Sequence, residues 1–170
     1  IRRAAYLQFR IVHKDNARLV RMLFEKRLAP EGYRLVDLGG GSYYQRDESF
    51  TNEQRTEAYL QRLRRFQVSE LARDPAYEFM LEKNEVDGRE VYAPHFVKGR
   101  AELTGEYLED ASVDYGKMGE AMVELRFDSK GAKKFAQVTA DYAPGGARNP
   151  NRSEYVQLAI VLDGTLYSAP

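Results

Sequence analysis

The chain has 170 residues, of which 43% are hydrophobic and 31% are charged, so it is long enough for one domain with a substantial core. Its 26 basic and 26 acidic residues give a formal net charge of zero, which argues against a dominant nucleic-acid or anionic-membrane surface. It has no cysteine, so disulfides and thiolate metal sites are excluded. No run approaches the roughly 18 apolar residues of a membrane span, and no signal peptide is visible. We expect a fragment of a longer protein, because the chain starts at Ile1 and stops at Pro170 within a strand-like run.

A strand and a helix are the first predicted elements. Residues 3–12 alternate between apolar and polar side chains, which predicts a strand with one buried face. Apolar residues recur at helical spacing over 16–28, and we expect Asp15 to cap this helix. Pro30 disfavours its continuation, and residues 33–38 form a short strand.

The middle of the chain is predicted to contain a linker, a basic helix and a hairpin. The segment 39–50 begins with three glycines and a serine, which is typical of a flexible linker. An amphipathic helix follows over 52–72. Residues 77–83 and 90–97 are predicted to form a hairpin around Asp87-Gly88, because Asp-Gly is a strong turn signal.

The last third contains further strands and one helix. A helical turn is predicted near 106–110, followed by strands at 111–115 and 121–127. Asp128 or Ser129 is expected to cap a helix that runs to about Tyr142. Its predicted inward residues are Ala132, Phe135, Ala136 and Thr139.

A loop and three structural turn residues complete the pattern. The segment 144–153 is rich in proline, glycine and asparagine and is expected to be a mobile loop. Gly105 is predicted to reverse the chain, and Asp163-Gly164 to form a type I′ turn within a final hairpin. The fold class is therefore α+β, with a mostly antiparallel sheet and helices packed on one face.

Neither the histidines nor the carboxylates indicate a catalytic or metal site. His13, Asp15 and His95 are too few and too scattered for the three or four ligands of a metal centre, so we predict no metal. Carboxylates do cluster along one stretch, but we expect them to be solvated on turns and polar strand faces rather than paired in a cleft. They are Glu102, Glu106, Glu109, Asp110 and Asp114.

Nucleophile and phosphate motifs are also missing. The sequence has no Gly-x-Ser-x-Gly elbow, and Gly39-Gly40-Gly41-Ser42 lacks the Gly-Lys-Ser/Thr of a phosphate loop. The basic run Arg62–Phe66 is diluted by glutamates on the same predicted helix, so it is interpreted as a solvated face. We predict that the chain is not an enzyme and needs no cofactor.

The aromatic residues are more numerous than a hydrophobic core of this size requires. The chain has 12 tyrosines and 8 phenylalanines, and several are predicted on loops or polar faces. Tyrosine combines a large contact area with a hydrogen-bonding tip, which suits weak contacts with varied peptides. The residues in question are Tyr43, Tyr44, Tyr92, Phe96, Tyr107 and Tyr115.

Three separated motifs resemble the SecD family. They are LQFRIVH at 7–13, ELTG at 102–105 and LAIVLDGTLYSAP at 158–170. Between the last two, residues 122–139 are similar to that family's strand and short helix. The order of these motifs matches the first large extracytoplasmic domain of SecD, and Gln8 stands where the family strand usually carries glutamate.

The resemblance implies a fold region and a place in the cell. Residues 1–170 would be mostly the head of that extracytoplasmic domain, with 39–100 as a variable insertion. The domain would lie on the periplasmic side of the bacterial inner membrane, within a non-catalytic accessory subunit of the Sec translocon. Its partners would be the SecYEG channel, SecF and unfolded preprotein.

The resemblance also implies a mechanism of holding. The head would bind an emerging unfolded segment and block its backsliding while the membrane part cycles protons. The family's proton-carrying acids lie in membrane helices, so none is assigned here. We predict that preprotein contacts Tyr92, Phe96, Tyr107 and Tyr115.

Two functions of other classes remain as alternatives. One is an envelope interaction module that binds a folded partner, which a flat self-complementary patch would favour. The other is an envelope hydrolase or transferase, which a deep cleft lined by paired acids would favour.

Overall fold

The computed structural model describes residues 6–30, 32–47, 76–117 and 121–168. The chain divides into two compact units. One unit comprises residues 1–14 and 100–170, and the other comprises residues 15–99. Both contain antiparallel strands and one described helix, so the fold is α+β as predicted. Whether the two helices lie on one face stays a prediction.

In the unit of residues 15–99, the described residues form one helix and four antiparallel strands, in the order β2-β3-β5-β4. The helix α1 packs Leu19 and Leu23 against an aromatic cluster that includes Tyr44 and Phe79. The elements are α1 (Asn16–Glu25), β2 (Tyr33–Leu38), β3 (Gly41–Arg46), β4 (Tyr77–Val86) and β5 (Arg89–Lys98).

The other unit has the strand order β10-β9-β1-β6 and a separate two-stranded ribbon of β7 and β8. Phe9 of β1 lies at its centre, with ring centroids 5.9 Å from Phe127 and 5.4 Å from Phe135. The first of its elements are β1 (Leu7–Ile11), β6 (Leu103–Thr104), a 3₁₀ turn (Gly105–Tyr107), β7 (Leu108–Tyr115) and β8 (Ala121–Phe127). They are followed by α2 (Ser129–Tyr142), β9 (Leu158–Leu162) and β10 (Thr165–Ser168).

Asn16 joins the start of α1 to β5 where the sheet opens. Strand β3 pairs with β5 at one position only, Tyr44 opposite Tyr92. Two residues on, Pro94 has no N–H to offer to a neighbouring strand. Two residues further, the N–H of Phe96 donates to Asn16 Oδ1 at 2.7 Å, and Asn16 is 8% exposed. The asparagine side chain thus replaces the missing strand at this edge of β5.

Both predicted Asp-Gly turns are present. Asp87 and Gly88 have φ values of 51° and 70° and join β4 to β5, while Asp163 and Gly164 have 47° and 80° and join β9 to β10. Positive φ at both central residues is the type I′ geometry that suits a two-residue hairpin. Gly105 begins a 3₁₀ turn without a positive φ, and its role in reversing the chain stays a prediction.

The predicted linker is wrong in its first part. Gly39 and Gly40, with φ of 58° and 81°, form a tight turn between β2 and β3, so Gly41–Arg46 is a strand instead of a flexible segment. The triple glycine therefore supplies turn geometry rather than a linker. The predicted helix over 52–72 lies outside the described residues.

The helix boundaries and faces also need correction. Helix α1 ends at Glu25, and Arg27 takes a φ of 53° in the turn that follows. Asp15 occupies the N-cap position, but its carboxylate contacts Arg18 at 3.4 Å instead of a backbone N–H. Helix α2 is capped as predicted, by Asp128 Oδ1 accepting from Gly131 N. Its inward face is Gly131, Phe135, Val138 and Tyr142, whereas Ala132, Ala136 and Thr139 are exposed.

The loop expected to be mobile has a defined conformation around Asn149. This side chain is 6% exposed, and its Nδ2 donates to the backbone oxygens of Tyr142 and Glu154. Gly146 lies so close to the end of α2 that a Cβ there would be 2.3 Å from the Ala140 oxygen. Buried hydrogen bonds therefore hold residues 144–153 against the helix end.

We expect Asn16→Ala to lower the free energy of unfolding by about 1–3 kcal/mol, because the buried Phe96 N–H loses its acceptor. Urea unfolding followed by circular dichroism measures the change. The matched control is Asn84→Ala in β4, where the side chain of a half-buried asparagine makes no hydrogen bond to a described residue. We expect the control to cost less than about 0.5 kcal/mol. Equal losses in both variants would contradict the assigned role of Asn16.

Alkaline pH should destabilise the unit of residues 15–99. Burial raises the pKa of Tyr33, Tyr44 and Tyr92 above the ordinary value of 10.0, so the folded state holds their protons more tightly than the unfolded state. The free energy of unfolding therefore falls once the pH rises above 10.0, by about 1.4 kcal/mol per pH unit for each such tyrosine.

Urea midpoints measured between about pH 8 and about pH 11 check this expectation. Tyr92→Phe should flatten the decline, since one group that ionises on unfolding is gone, and the exposed Tyr115→Phe should not. A decline that is identical in the protein and in Tyr92→Phe would refute it.

Candidate functional site

Two of the four predicted contact residues lie in the core. Tyr92 is 6% exposed and Phe96 is 1% exposed. Phe96 meets Phe79 with a ring-centroid distance of 5.8 Å, and Tyr92 meets Tyr33 at 5.2 Å. The prediction that Tyr92 and Phe96 lie on an exposed surface is wrong, because β5 is an inner strand of its unit and these side chains share a face in the cluster beneath α1.

Tyr44 requires the same correction, since it is 0% exposed, and Tyr43 is only half-buried. The Tyr44 hydroxyl donates to the Leu28 backbone oxygen at 2.6 Å, which ties β3 to the segment after α1. Burial with a satisfied hydroxyl is the structural use of tyrosine. Neither residue belongs to a candidate site.

Tyr107 is half-buried and fixed by contacts on two sides. Its hydroxyl accepts from Lys134 Nζ at 2.8 Å, and the ammonium lies 4.3 Å from the ring centroid. This hydrogen bond raises the pKa of Lys134. The backbone of Tyr107 packs against α2: a Cβ on Gly131 would lie 2.6 Å from the Tyr107 backbone oxygen, so only glycine allows α2 to approach this closely. One edge of a rigidly held tyrosine is therefore presented at the start of β7.

Tyr115 is the most exposed of the predicted residues. It ends β7 and is 62% exposed, and Met122 of the paired strand β8 is 51% exposed. Met122 pairs with Asp114 in the ribbon register. We call Tyr115, Asp114 and Met122 the ribbon end. It presents an aromatic ring on one face of the ribbon, and a flexible thioether and a carboxylate on the other face.

Strand β7 has one edge that no described strand covers, because β7 and β8 form a sheet of two strands. Two N–H groups of β7 donate to aspartates of the same strand. Ala111 N donates to Asp110 Oδ1 at 3.0 Å, and Tyr115 N donates to Asp114 Oδ1 at 2.8 Å. Carboxylates at an open edge discourage unwanted strand pairing.

The histidines do not form a metal centre. His95 Nε2 lies 2.8 Å from Glu82 Oε2, and its Nδ1 lies 3.4 Å from Asn16 Nδ2, so both ring nitrogens have protein neighbours. His13 lies in the other unit, after β1. Across the described part of the chain, no group of three or more metal-binding side chains occurs.

Of the five carboxylates in the acidic stretch, Glu102 differs from the expectation of solvation. Its side chain is 13% exposed, accepts from the Tyr142 hydroxyl at 2.8 Å and lies 3.3 Å from Arg148 Nη1. Burial is the main cause that raises the pKa of Tyr142, and the hydrogen bond with Tyr142 raises that of Arg148. This triad ties the end of α2 to the loop after it. Glu106, Glu109, Asp110 and Asp114 are exposed as expected.

An apolar cavity beside α2 was missed at the sequence level. It has a volume of about 210 Å³ and lies between the C-terminal half of α2, Ile11 and the segment before β9. Tyr155 at its mouth is 84% exposed. The available signal was the pair Val138 and Tyr142, which are four residues apart on one helix face.

A wider cleft of about 560 Å³ lies in the unit of residues 15–99, between α1 and the β2–β3 hairpin. Its lining mixes Arg21 and Arg27 with Glu25 and Asp37, so it favours no single ligand charge. The basic run Arg62–Phe66 lies outside the described residues. No described helix has the length and apolarity required of a membrane span.

Comparison with known proteins identifies the family. The family model described as SecDF, P1 head subdomain matches residues 79–170, which is more than half of the chain. The chain is 32% identical over 95 residues to the protein translocase subunit SecD of Magnetococcus marinus, covering 55% of this chain and 16% of that protein. It is 43% identical over 68 residues to the protein translocase subunit SecDF of Thermus thermophilus, covering 40% of this chain and 8% of that protein.

A crystal structure of SecDF in a super-membrane-facing form aligns with 98% of this chain and 14% of its own, at 23% identity and a TM-score of 0.39. The chain thus spans a small part of the length of its relatives. Their names are those of protein-translocase subunits, a protein-transport family without catalytic activity, in agreement with the predicted absence of enzyme activity. The chain belongs to the SecDF P1 head subdomain family.

Proposed function

We propose that this chain is the extracytoplasmic head of a SecD-type subunit and assists protein export by binding unfolded preprotein. The match of residues 79–170 to the P1 head subdomain carries this proposal. In it, the head lies on the periplasmic side of the bacterial inner membrane, and the SecYEG channel and SecF are partners of the full-length protein. The holding cycle is driven by the proton-motive force through the membrane part.

The open edge of β7 suits an extended client. Strand β7 spans Leu108–Tyr115, so Tyr107 and Tyr115 stand at its two ends. Eight residues at about 3.3 Å each separate these tyrosines by about 26 Å along the strand. An added strand gains backbone hydrogen bonds that are independent of its sequence, while aromatic side chains at either end supply contact area. This combination suits clients of varied sequence.

The aspartates along the edge keep such binding weak. A client strand must displace Asp110 from Ala111 N and Asp114 from Tyr115 N before it can pair there. Each displacement exchanges a charge-assisted hydrogen bond for a neutral one, which costs part of the gain. Weak binding allows release, as a cycle of holding requires.

We also propose that, within the predicted insertion of residues 39–100, residues 39–78 are the variable part of this head. The family model begins at residue 79, so residues 39–78 lie outside the matched region. Within the segment, the β4–β5 hairpin supplies part of the core beneath α1 through Phe79 and Phe96.

Tyr115→Ala should weaken binding of an unfolded, non-aggregating client about three- to tenfold, because an exposed aromatic contact is lost. NMR titration measures the affinity, with the same client in folded form as a negative control. The midpoint of thermal unfolding should barely change, since surface substitutions cost within about 0.5 kcal/mol.

The matched control is Tyr6→Ala, which removes a tyrosine of the same 62% exposure from the same unit, one that precedes β1 and is not part of the ribbon. Equal effects of the two variants on client affinity would exclude the ribbon end as a contact. Absence of client binding by the protein itself would refute the proposed function.

A second substitution tests strand pairing at the edge. Asp114→Ala uncovers Tyr115 N–H and should tighten binding of an uncharged client about two- to fivefold relative to Asp114→Asn. Asparagine removes the same charge but keeps an oxygen that can accept from this N–H. Equal affinities in these two variants would show that edge pairing does not contribute.

A further inference from the structure

The apolar cavity beside α2 has the properties of a binding site for a side chain. We call it the α2 pocket, formed by Ile11, Val138, Tyr142, Pro144, Tyr155 and Leu158 with their neighbours. Ile11 and Leu158 form its floor from paired positions of β1 and β9. The C-terminal half of α2 and the loop after it form one wall, and Tyr155 stands at the mouth. All of these residues belong to one unit.

Two hydroxyl groups in the lining of the pocket, those of Thr139 and Tyr142, already have partners within the protein. The Thr139 hydroxyl donates within its own helix, 2.9 Å from the backbone oxygens of Phe135 and Ala136. The Tyr142 hydroxyl donates to Glu102 at 2.8 Å. A polar ligand group would therefore lose its hydration without gaining a partner from these hydroxyls, which costs free energy. The pocket selects an apolar occupant.

The size of the pocket limits the occupant to one side chain. Its volume of about 210 Å³ lies below the range of about 300–1,000 Å³ that is typical of sites for drug-sized molecules. A leucine, methionine or phenylalanine side chain is a suitable occupant, because it fills such a space with apolar atoms only. Smaller side chains leave part of the lining without contacts.

The rim of the pocket can accommodate a polypeptide backbone. Between the loop and β9, Val12 N donates to the Gln157 oxygen at 3.1 Å, which continues the line of β1. The two residues before Gln157, Tyr155 and Val156, make no backbone hydrogen bond to a described residue. Their N–H and C=O groups can pair with an extended chain lying across the mouth, while Tyr155, 84% exposed, can pack on it.

We propose that the α2 pocket binds one large apolar side chain presented by an extended polypeptide. The nature of the presenting chain rests on the proposed function, in which the client is unfolded preprotein. The proposal separates two contributions to client binding. The edge of β7 provides sequence-independent pairing, and the pocket favours client segments that carry an isolated leucine, methionine or phenylalanine.

The first test uses a probe that does not depend on the client. N-acetylphenylalanine amide is titrated into the full chain by NMR, with N-acetylserine amide as the polar comparison. We expect saturable shifts at Val138, Tyr155 and Leu158 with the phenylalanine probe only. Absence of saturable shifts at these residues would overturn the proposal, whatever the client does.

Two variants locate the binding. Ala143→Phe places a ring from an exposed lining position into the pocket, and Tyr155→Ala removes the exposed side chain at its mouth. Each variant should lower the affinity for the phenylalanine probe at least about fivefold. Tyr6→Ala and Tyr115→Ala are the controls and should leave probe affinity unchanged. Equal affinities in all four variants would overturn the proposal.

The second test uses an uncharged unfolded peptide with one phenylalanine and its Phe→Ser variant. Tighter binding of the phenylalanine peptide that disappears in Ala143→Phe supports the pocket as a client site. Binding of both peptides with equal affinity, through β7 alone, overturns the pocket and leaves the proposed function intact. Binding of the phenylalanine probe without either peptide refutes the proposed function and supports the pocket as an apolar side-chain site.

Discussion

The unit of residues 15–99 depends on a single asparagine that takes the place of a strand. Strand β3 leaves β5 after one paired position, and Pro94 then removes an N–H from the same edge. Phe96, the next residue facing that edge, is 1% exposed, so its N–H cannot be left to water. Asn16 Oδ1 accepts from it at 2.7 Å and thereby fixes the start of α1. The core beneath α1 follows from that placement.

The unit of residues 1–14 and 100–170 is organised instead by close packing. The rings of Phe127 and Phe135 both contact the Phe9 ring, and they stack on each other with a centroid distance of 5.1 Å. Gly131 allows α2 to approach the 3₁₀ turn closely, because a Cβ there would lie 2.7 Å from Tyr107 Cβ. Tyr107 therefore lies next to α2 at the start of β7. The other end of the ribbon is exposed, with Tyr115 and Met122 at its surface. The exposure of the candidate contact residues Tyr107 and Tyr115 thus increases along β7, from the end that packs against the core to the end that does not.

The edge of β7 and the α2 pocket suit two different kinds of contact with an unfolded client. An open strand edge recognises backbone, and the aspartates along it limit its affinity. A pocket of one side chain in size recognises apolar character and ignores the order of neighbouring residues. Under the proposed function, both contacts are expected to be weak and tolerant of sequence, as the holding of many different preproteins would require. Neither needs a catalytic group, in keeping with a family of translocase subunits.

By itself, the sequence determined the local elements and the family. Alternation at Leu7–Ile11, the Asp-Gly turns at residues 87–88 and 163–164 and the Asp128 cap depend on neighbouring residues only, and all are present. The motifs around ELTG and IVLDG were enough to indicate the SecD family, because they occur in this sequence in the same order as in that family. Burial of Tyr92 and Phe96 was decided by tertiary structure, since alternation cannot say which face of a strand a distant helix will cover. The same holds for Glu102, which meets Tyr142 and Arg148 only in the folded chain. It also holds for the α2 pocket, because residues 11, 142 and 155 are far apart in the sequence and come together only on folding.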